Sequence, residues 1–473
     1  MSNLIEWKFK LDDSTVVSYN KKKQDYVKMG LSTGTSSRLN TNGDLIFEVE
    51  NQQSFLYLPD SFLYCEFSLY KDDTFKTPLP ITDEITLEHN FFPKLFDQMR
   101  LEVGAQNVET MSNEPGTIDT MLRFVTTSNE DKVGAQYKGW VPDTGSGNFV
   151  STIEKKGGTG TDEAKTTKAE YDAIVRRLNL DTKNTGYSKR KKMYSDSSNK
   201  YEVRWGLSPL FGYMDYEKIS YQLKYKLILH RIINDKAIFF GATGTQAYLK
   251  IDKLEFWIPQ ITPSLEIETM VTKRLNNDKP IPVNFLKRIS ETYNFNSNFA
   301  SWHFTRVSTS PRYLFLAFQP AIPPSFEENN SLFFLKGKYI VTSTSGGTTT
   351  KTSVKDEIES LQVLINQTRY PIDPLQINVS SENIYLEGYN SYVEMCEKFG
   401  TNPQLSAVEW RDLYPVFCFD LSSQPEDIAN NGCDITIKMK KNNSNSMLKA
   451  HAVLLVETEN KIEVNNGRMV RIY

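Results

Sequence analysis

The residues able to do chemistry are few and scattered. Four histidines, His89, His230, His303 and His451, stand far apart in the chain. None sits in an HExxH pattern or beside a cysteine pair, so their spacing does not make a zinc site. The four cysteines, Cys65, Cys396, Cys418 and Cys433, contain no CxxC pair and read as reduced thiols of a chain made in a reducing compartment. Gly157-Gly158-Thr159-Gly160 with Lys165-Thr166 imitates a phosphate loop. However, Ala164 stands where that motif needs glycine, and no buried strand leads into it. There is no GxSxG elbow. Asp72-Asp73 and Glu327-Glu328 are neighbouring carboxylates in turn-like sequence and read as solvated. The sharpest charged feature is Lys189-Arg190-Lys191-Lys192, which fits a solvated face, a nuclear-import patch or a polyanion contact. Catalytic residues, metal ligands and a cofactor are therefore not expected, and the chain reads as a non-enzyme.

The elements around these residues are strands. In the run from Ile219 to Arg231, Tyr221, Leu223, Tyr225, Leu227 and Leu229 share one face at period two, with Gln222, Lys224 and Lys226 on the other. Alternation of this kind, bounded by Gly, Asn and Asp, signals a half-buried antiparallel strand. Strand-like runs also cover Tyr201–Phe211 and Gln246–Pro259, the latter interrupted at Lys253. Earlier strands are read at Leu45–Asn51, Phe62–Lys71, Ile85–His89 and Met99–Glu109, with a helical turn at Phe91–Gln98. Pro115–Val125 reads as a helix with Ile118, Met121, Leu122 and Val125 on one face.

The same order returns later. MRLEVGAQ from Met99 is echoed by LQVLINQT from Leu361, Leu207-Ser208 by Leu421-Ser422, and Ala247 by Ala450. A second helix is expected over Glu382–Gly400, with Gly400 as its cap. The order strand, strand, helix, strand, strand, strand thus occurs twice. A period of about 200 residues is a domain duplication rather than a solenoid repeat. The offset between copies shrinks along the chain because the first copy holds an insertion, Ser128–Lys200, rich in Gly, Ser, Thr and Lys and containing one helix-like stretch over Thr161–Leu178. The chain therefore divides into an arm (1–40), a first β-domain (41–262, with the insertion 128–200) and a second β-domain (263–473). SLEIETMV from Ser264 reads as the second domain's opening β segment.

Composition excludes several classes. The chain has 473 residues, 24% charged and 12% aromatic, which is globular composition long enough for two large cores. A net charge of −3 gives no global basic field for nucleic acid. The N-terminus lacks an apolar signal core and no run of 18 apolar residues occurs, so a soluble, non-secreted chain without a membrane span is expected. The aromatics Trp205, Phe211, Trp257, Trp302, Phe304, Trp410 and Tyr414 lie in or beside strand runs and read mostly as core, with a few as interface anchors.

Tandem antiparallel eight-stranded sandwiches, each with a helix in its middle loop, make an all-β double jelly roll with minor helices. The runs VRWGLSPLFGYMDYEKISYQLKYKLILHR, LKIDKLEFWIPQITP, MRLEVGAQNVE and HAVLLVETENKIEVNNGRMVRI resemble the major capsid proteins of Polinton (Maverick) elements and adintovirus-like double-stranded DNA viruses. The resemblance covers Asp44 to Tyr473. It implies a homotrimer whose six jelly rolls form a pseudo-hexameric capsomer, tiling an icosahedral virion shell around the genome together with a minor capsid or penton protein. It also implies that the insertion is a tower or an intersubunit clasp, and that the arm, with Lys21, Lys22 and Lys23, lies at the base facing the interior. The two sandwiches are acidic without the arm and insertion, so genome contact would come from the arm or from other proteins. Synthesis in the host cytoplasm and assembly in the nucleus would suit such a chain. The competing readings are a carbohydrate-binding β-sandwich protein, for which a signal peptide would be usual, and a single-jelly-roll minor capsid protein or spike, against which the duplication speaks.

Overall fold

The computed structural model describes residues 21–32, 38–50, 55–144, 184–232, 235–241, 246–304, 310–321, 336–345, 348–378, 384–422, 433–442, 447–465 and 468–472. The first half contributes β1 (Lys21–Met29), β2 (Gly43–Val49), β3 (Phe55–Tyr57), β4 (Phe62–Tyr70), β5 (Ile85–Leu87) and β6 (Phe96–Val103). It continues with β7 (Gln106–Ser112), β8 (Tyr201–Gly206), β9 (Ile219–Tyr221), β10 (Tyr225–Arg231), β11 (Phe239–Gly241) and β12 (Tyr248–Pro263). The second half holds β13 (Ile281–Phe295), β14 (Phe299–His303), β15 (Pro311–Pro320), β16 (Lys336–Ser345) and β17 (Thr348–Ile365). It ends with β18 (Thr368–Gln376), β19 (Phe417–Asp420), β20 (Ile435–Lys441), β21 (Leu448–Asn465) and β22 (Arg468–Ile472).

Sheet order establishes the duplication. The first half pairs β1-β12-β4-β8 in one sheet and β2-β10-β6-β7 in the other. The second pairs β13-β21-β15-β19 and β14-β20-β17-β18. Counting the principal strands of each half from one to eight, both read 1-8-3-6 and 2-7-4-5, the double Greek key of a jelly roll. All pairings are antiparallel. Between its facing sheets each half buries a core, with Phe47 meeting Phe256 in the first and Tyr293 stacking on Trp302 in the second. Each fully buried Leu or Phe contributes about 1.5–3 kcal/mol. The expected helices are present as α1 (Pro115–Thr126) and, further on, Leu386–Lys398. Each joins the fifth and sixth strands of its jelly roll.

Four local expectations are corrected. The arm is not free over its second half: Lys21–Met29 is the first strand of the first jelly roll, registered so that Lys28 faces Trp257 and Met29 faces Phe256. MRLEVGAQNVE is a hairpin rather than one strand, because Gly104 and Ala105 both take positive φ (56° and 66°) and turn the chain. The run from Ile219 breaks at Gln222 (φ 57°), so Tyr221 joins the other sheet and stacks on Phe55. SLEIETMV is helical: Ser264 accepts a hydrogen bond from the Ile267 N–H and caps Leu265–Leu275. Glu266 and Glu268 occupy its first turn and Lys273 and Arg274 its last, which suits the helix dipole. With α1 as the first, the longer helices among the described residues are α2 (Thr185–Met193), α3 (Leu265–Leu275) and α4 (Leu386–Lys398). The break at Lys253 is a bulge in the pairing of β12 with β4. The helix expected over 161–178 lies outside the described residues.

Candidate assembly site

Two features stand out: the junction that joins the two jelly rolls, and an aromatic cluster on the outside of the first.

The junction starts at α1. Asp119 anchors this helix to its own jelly roll by accepting from Arg123 Nε (2.7 Å), Asn90 Nδ2 (2.9 Å) and Trp205 Nε1 (3.0 Å). The last carbonyls of the helix are then satisfied from the second half. Tyr392 Oη donates to the Phe124 carbonyl (3.0 Å), Thr401 Oγ1 to Val125 (2.5 Å) and Gln404 Nε2 to Arg123 and Thr127 (3.0 and 2.7 Å). Helix ends need such partners when buried. The Trp140 indole donates to Gln404 Oε1 (2.8 Å).

Strand β7 adds a second seam. The buried Glu109 carboxylate accepts the N–H of Arg288 on β13 and the N–H of Tyr213, both at 2.9 Å. Burial pushes the Glu109 carboxyl above its ordinary value, against the pull of Arg288 and these N–H donors. Glu114 contacts Lys449 and lies 3.7 Å from His451. Thus β7 and α1 cover the outer face of the sheet containing β13, β21 and β15. Gly212 lies against β13 so closely that a Cβ there would overlap the Leu286 carbonyl. Gly212→Ala is therefore expected to destabilise the protein by about 1–3 kcal/mol through overpacking. Denaturant unfolding of the variant tests this, and an unchanged midpoint would contradict it.

The basic run lies beside this junction, in α2. Arg190 is buried, against its reading as a solvated or polyanion-facing residue. Its guanidinium donates to the carbonyls of Leu87 (2.8 Å) and Val141 (2.7 Å) and to Asp143 Oδ1 (2.7 Å). Burial works against its charge, but Asp143 and Glu88 outweigh it, so its pKa lies above the ordinary arginine value. Lys191 is half-buried and donates to the carbonyls of Asp83 and Ile85. Lys189 and Lys192 are exposed. The ends of the insertion are therefore built into the body: Trp140, Val141 and Asp143 are buried, and the Asp143 N–H donates to Tyr414 of the second half (2.9 Å).

In the N-terminal lysine run, Lys23 is exposed and ion-paired with Asp25 at 2.9 Å. Lys21 and Lys22 open β1. The run belongs to a sandwich edge, where lysines discourage unwanted strand pairing. Four free cysteines are buried.

The second surface was not legible as a unit. On the outer face of the sheet β1-β12-β4-β8, Tyr26, Phe62, Tyr64 and Trp257 form one aromatic cluster. Ring centroids are 5.5 Å apart for Tyr26–Phe62, 5.4 Å for Phe62–Trp257 and 5.3 Å for Tyr64–Trp257. Lys28 Nζ sits 4.1 Å over Trp257, and Arg204 lies over Phe62 and Trp257. Tyr26 is 42% exposed. Of the seven aromatics singled out from sequence, Trp205, Phe211, Trp302, Phe304, Trp410 and Tyr414 are core, and Trp257 belongs to this surface cluster. A cleft of about 780 Å³ opens beside it, between Tyr26, Phe62 and Arg204 of the sheet and Thr126 at the end of α1 with Tyr137 and Lys138 beyond it.

Comparison with known proteins agrees with this architecture. No curated protein matches the sequence. Among solved structures, the Faustovirus major capsid protein superposes with a TM-score of 0.55 at 8% identity, over 98% of this chain and 94% of that one. The Sputnik virophage structure superposes with a TM-score of 0.56 at 11% identity, over 98% and 91%. At such identities the likeness is one of fold. The double jelly roll-like domain family matches residues 150–458, more than half of the sequence. With its two equivalent jelly rolls and this match, the chain belongs to the double jelly roll-like domain family.

Proposed function

We propose that this protein is a shell-building major capsid protein of a double-stranded DNA virus or virus-like element, of the Polinton and adintovirus kind. It acts by self-association, as a homotrimer whose six jelly rolls make a pseudo-hexameric capsomer of an icosahedral virion shell. The observation that carries this reading is the duplication itself. Two copies of one jelly roll are joined by a buried, hydrogen-bonded junction, in a fold that overlaps viral major capsid proteins along nearly the whole chain. A rigid double unit is a tile component, since three copies present six similar wedges.

The role is structural rather than catalytic. Its polar network at the junction is spent on helix ends and backbone donors. Among the described residues no helix is long and apolar enough to cross a membrane. Lys189 and Lys192 are the exposed members of the basic run and the ones left for a polyanion or an import factor, and Lys21–Lys23 lead the chain toward the interior base. Genome contact in this account is indirect or made by that N-terminal segment, and a minor capsid protein closes the shell.

Light scattering on the purified chain tests the assembly step. A particle of three times 54.3 kDa is expected. A monomer at every accessible concentration would contradict it, because a subunit interface shifts with mass action.

A further inference from the structure

The helix between the two jelly rolls has an apolar stripe that the body covers only in part. α3 has 11 residues, and Leu275 alone among them is buried. Val271 and Ile267 lie one and two turns before Leu275 on the same stripe and are half-buried. Met270 beside them is 57% exposed, and Leu265 in the first turn is 69% exposed. A helix of this length is marginal in water on its own, and most helical stability in proteins comes from packing an amphipathic face. The Ser264 cap and the charges at the two ends of α3 supply part of what it needs. The rest calls for a cover over the stripe.

The sheet register says which part of the chain is at hand. β1 runs antiparallel to β12, and its first residue, Lys21, stands opposite Pro263, the last residue of β12. Ser264, the cap of α3, follows directly. The residues before Lys21 therefore join the fold beside the start of α3, where no further β12 is left to pair with them. Their sequence holds an alternation of apolar Ile5, Trp7, Phe9 and Leu11 with charged Glu6, Lys8, Lys10 and Asp12. In an extended chain the four apolar side chains share one side. The reach is sufficient: the run Asp12–Asn20 spans up to about 30 Å, whereas α3 is about 16 Å long. A tethered segment also meets its own α3 at an effective concentration on the order of mM, which favours the same chain over a neighbour.

We infer that the N-terminal segment docks on the open side of α3 in the same chain, with Ile5, Trp7, Phe9 and Leu11 set against Ile267, Met270 and Val271. The charged residues of the alternation stay in water. The contact ties the start of the chain to the linker between the two jelly rolls, and it stands independently of the self-assembly reading.

Amide hydrogen exchange of the full-length chain, read by mass spectrometry over α3, tests this. The α3 amides of the wild type are expected to be protected. In the variant Trp7→Asp with Phe9→Asp they should exchange about 10-fold faster or more, while the β13 amides keep wild-type rates and show that the variant is folded. Equal α3 rates in the two proteins, or unprotected α3 amides in the wild type, would overturn the docking. A disulfide probe then separates the same chain from a neighbour. With Phe9→Cys and Met270→Cys in one chain, oxidation by dissolved oxygen is expected to link the two within that chain, the four native thiols being buried. A linked species of twice 54.3 kDa with no intrachain link would overturn the same-chain contact.

Discussion

Asp143→Ala is expected to cost about 3–5 kcal/mol of folding stability, among the largest losses any single exposed-to-buried comparison in this chain should give. Arg190 is only 1% exposed. The substitution leaves its guanidinium with the Leu87 and Val141 carbonyls but without its hydrogen-bonded countercharge, Glu88 being the acid that remains nearby. It also strands Asn184 Nδ2, which donates to Asp143 at 2.7 Å. A charge buried without its partner cannot be rehydrated unless the surrounding structure opens. The structure that would open is the packing of residues 141–143 and α2 against the first jelly roll and Tyr414. Replacing both members, Asp143→Leu with Arg190→Met, should recover most of the loss, because a buried pair can be exchanged for apolar packing at small net cost. Denaturant titration of the two variants measures this. A single-variant loss under about 1 kcal/mol, the range of exposed pairs, would show that Arg190 is effectively hydrated.

The second large effect is acid sensitivity. His89 is fully buried, with neither ring nitrogen hydrogen-bonded, packed on Trp140 (4.2 Å between ring centroids), Phe124 and Tyr414. Burial holds its pKa well below the ordinary value, and the nearby cations Arg190, Lys94, Lys132 and Arg123 push the same way. His451 is lowered to about 4, chiefly by burial, with Glu114 opposing and Lys449 reinforcing. For both groups the unfolded chain binds the proton more readily than the folded one. Their contribution is therefore intact above the unfolded value of about 6.5 and is lost as pH falls below it. Each should remove about 1.4 kcal/mol per pH unit in that window, or about 4 kcal/mol for the two by pH 5. Glu109 and Asp235, whose carboxyls burial raises, act in the opposite sense and flatten the slope. The decisive comparison is therefore His89→Phe against wild type, which should lose about half of the histidine-driven slope between pH 7 and pH 5. An unchanged slope would show that His89 is not held neutral. Because His89 sits where the jelly rolls meet, the same titration should loosen the double unit before it unfolds either half.

Period-two alternation made most strands legible, since β4, β10 and β12 each bury one face against a sandwich core. The duplication was legible for the same reason, as equivalent strands need similar patterns. The elements that escaped follow other rules. KKKQDYVKM has no apolar alternation, because β1 is an edge strand with most of its described side chains in solvent. SLEIETMV alternates like a strand for four residues, but the Ser264 cap and the helix-forming residues up to Leu275 decide the outcome. Arg190 sat in what read as a surface charge run, and only the tertiary fold brings Asp143 to it from 47 residues away. The aromatic cluster draws Tyr26, Phe62, Tyr64 and Trp257 from three strands far apart in sequence, so its unity appears only with the sheet order β1-β12-β4.

Electron cryo-microscopy of the purified wild-type assembly examines the geometry of association most directly. The expected image is a three-fold ring with a hexagonal outline, built of six similar jelly rolls. Particles without three-fold symmetry would contradict the capsomer itself.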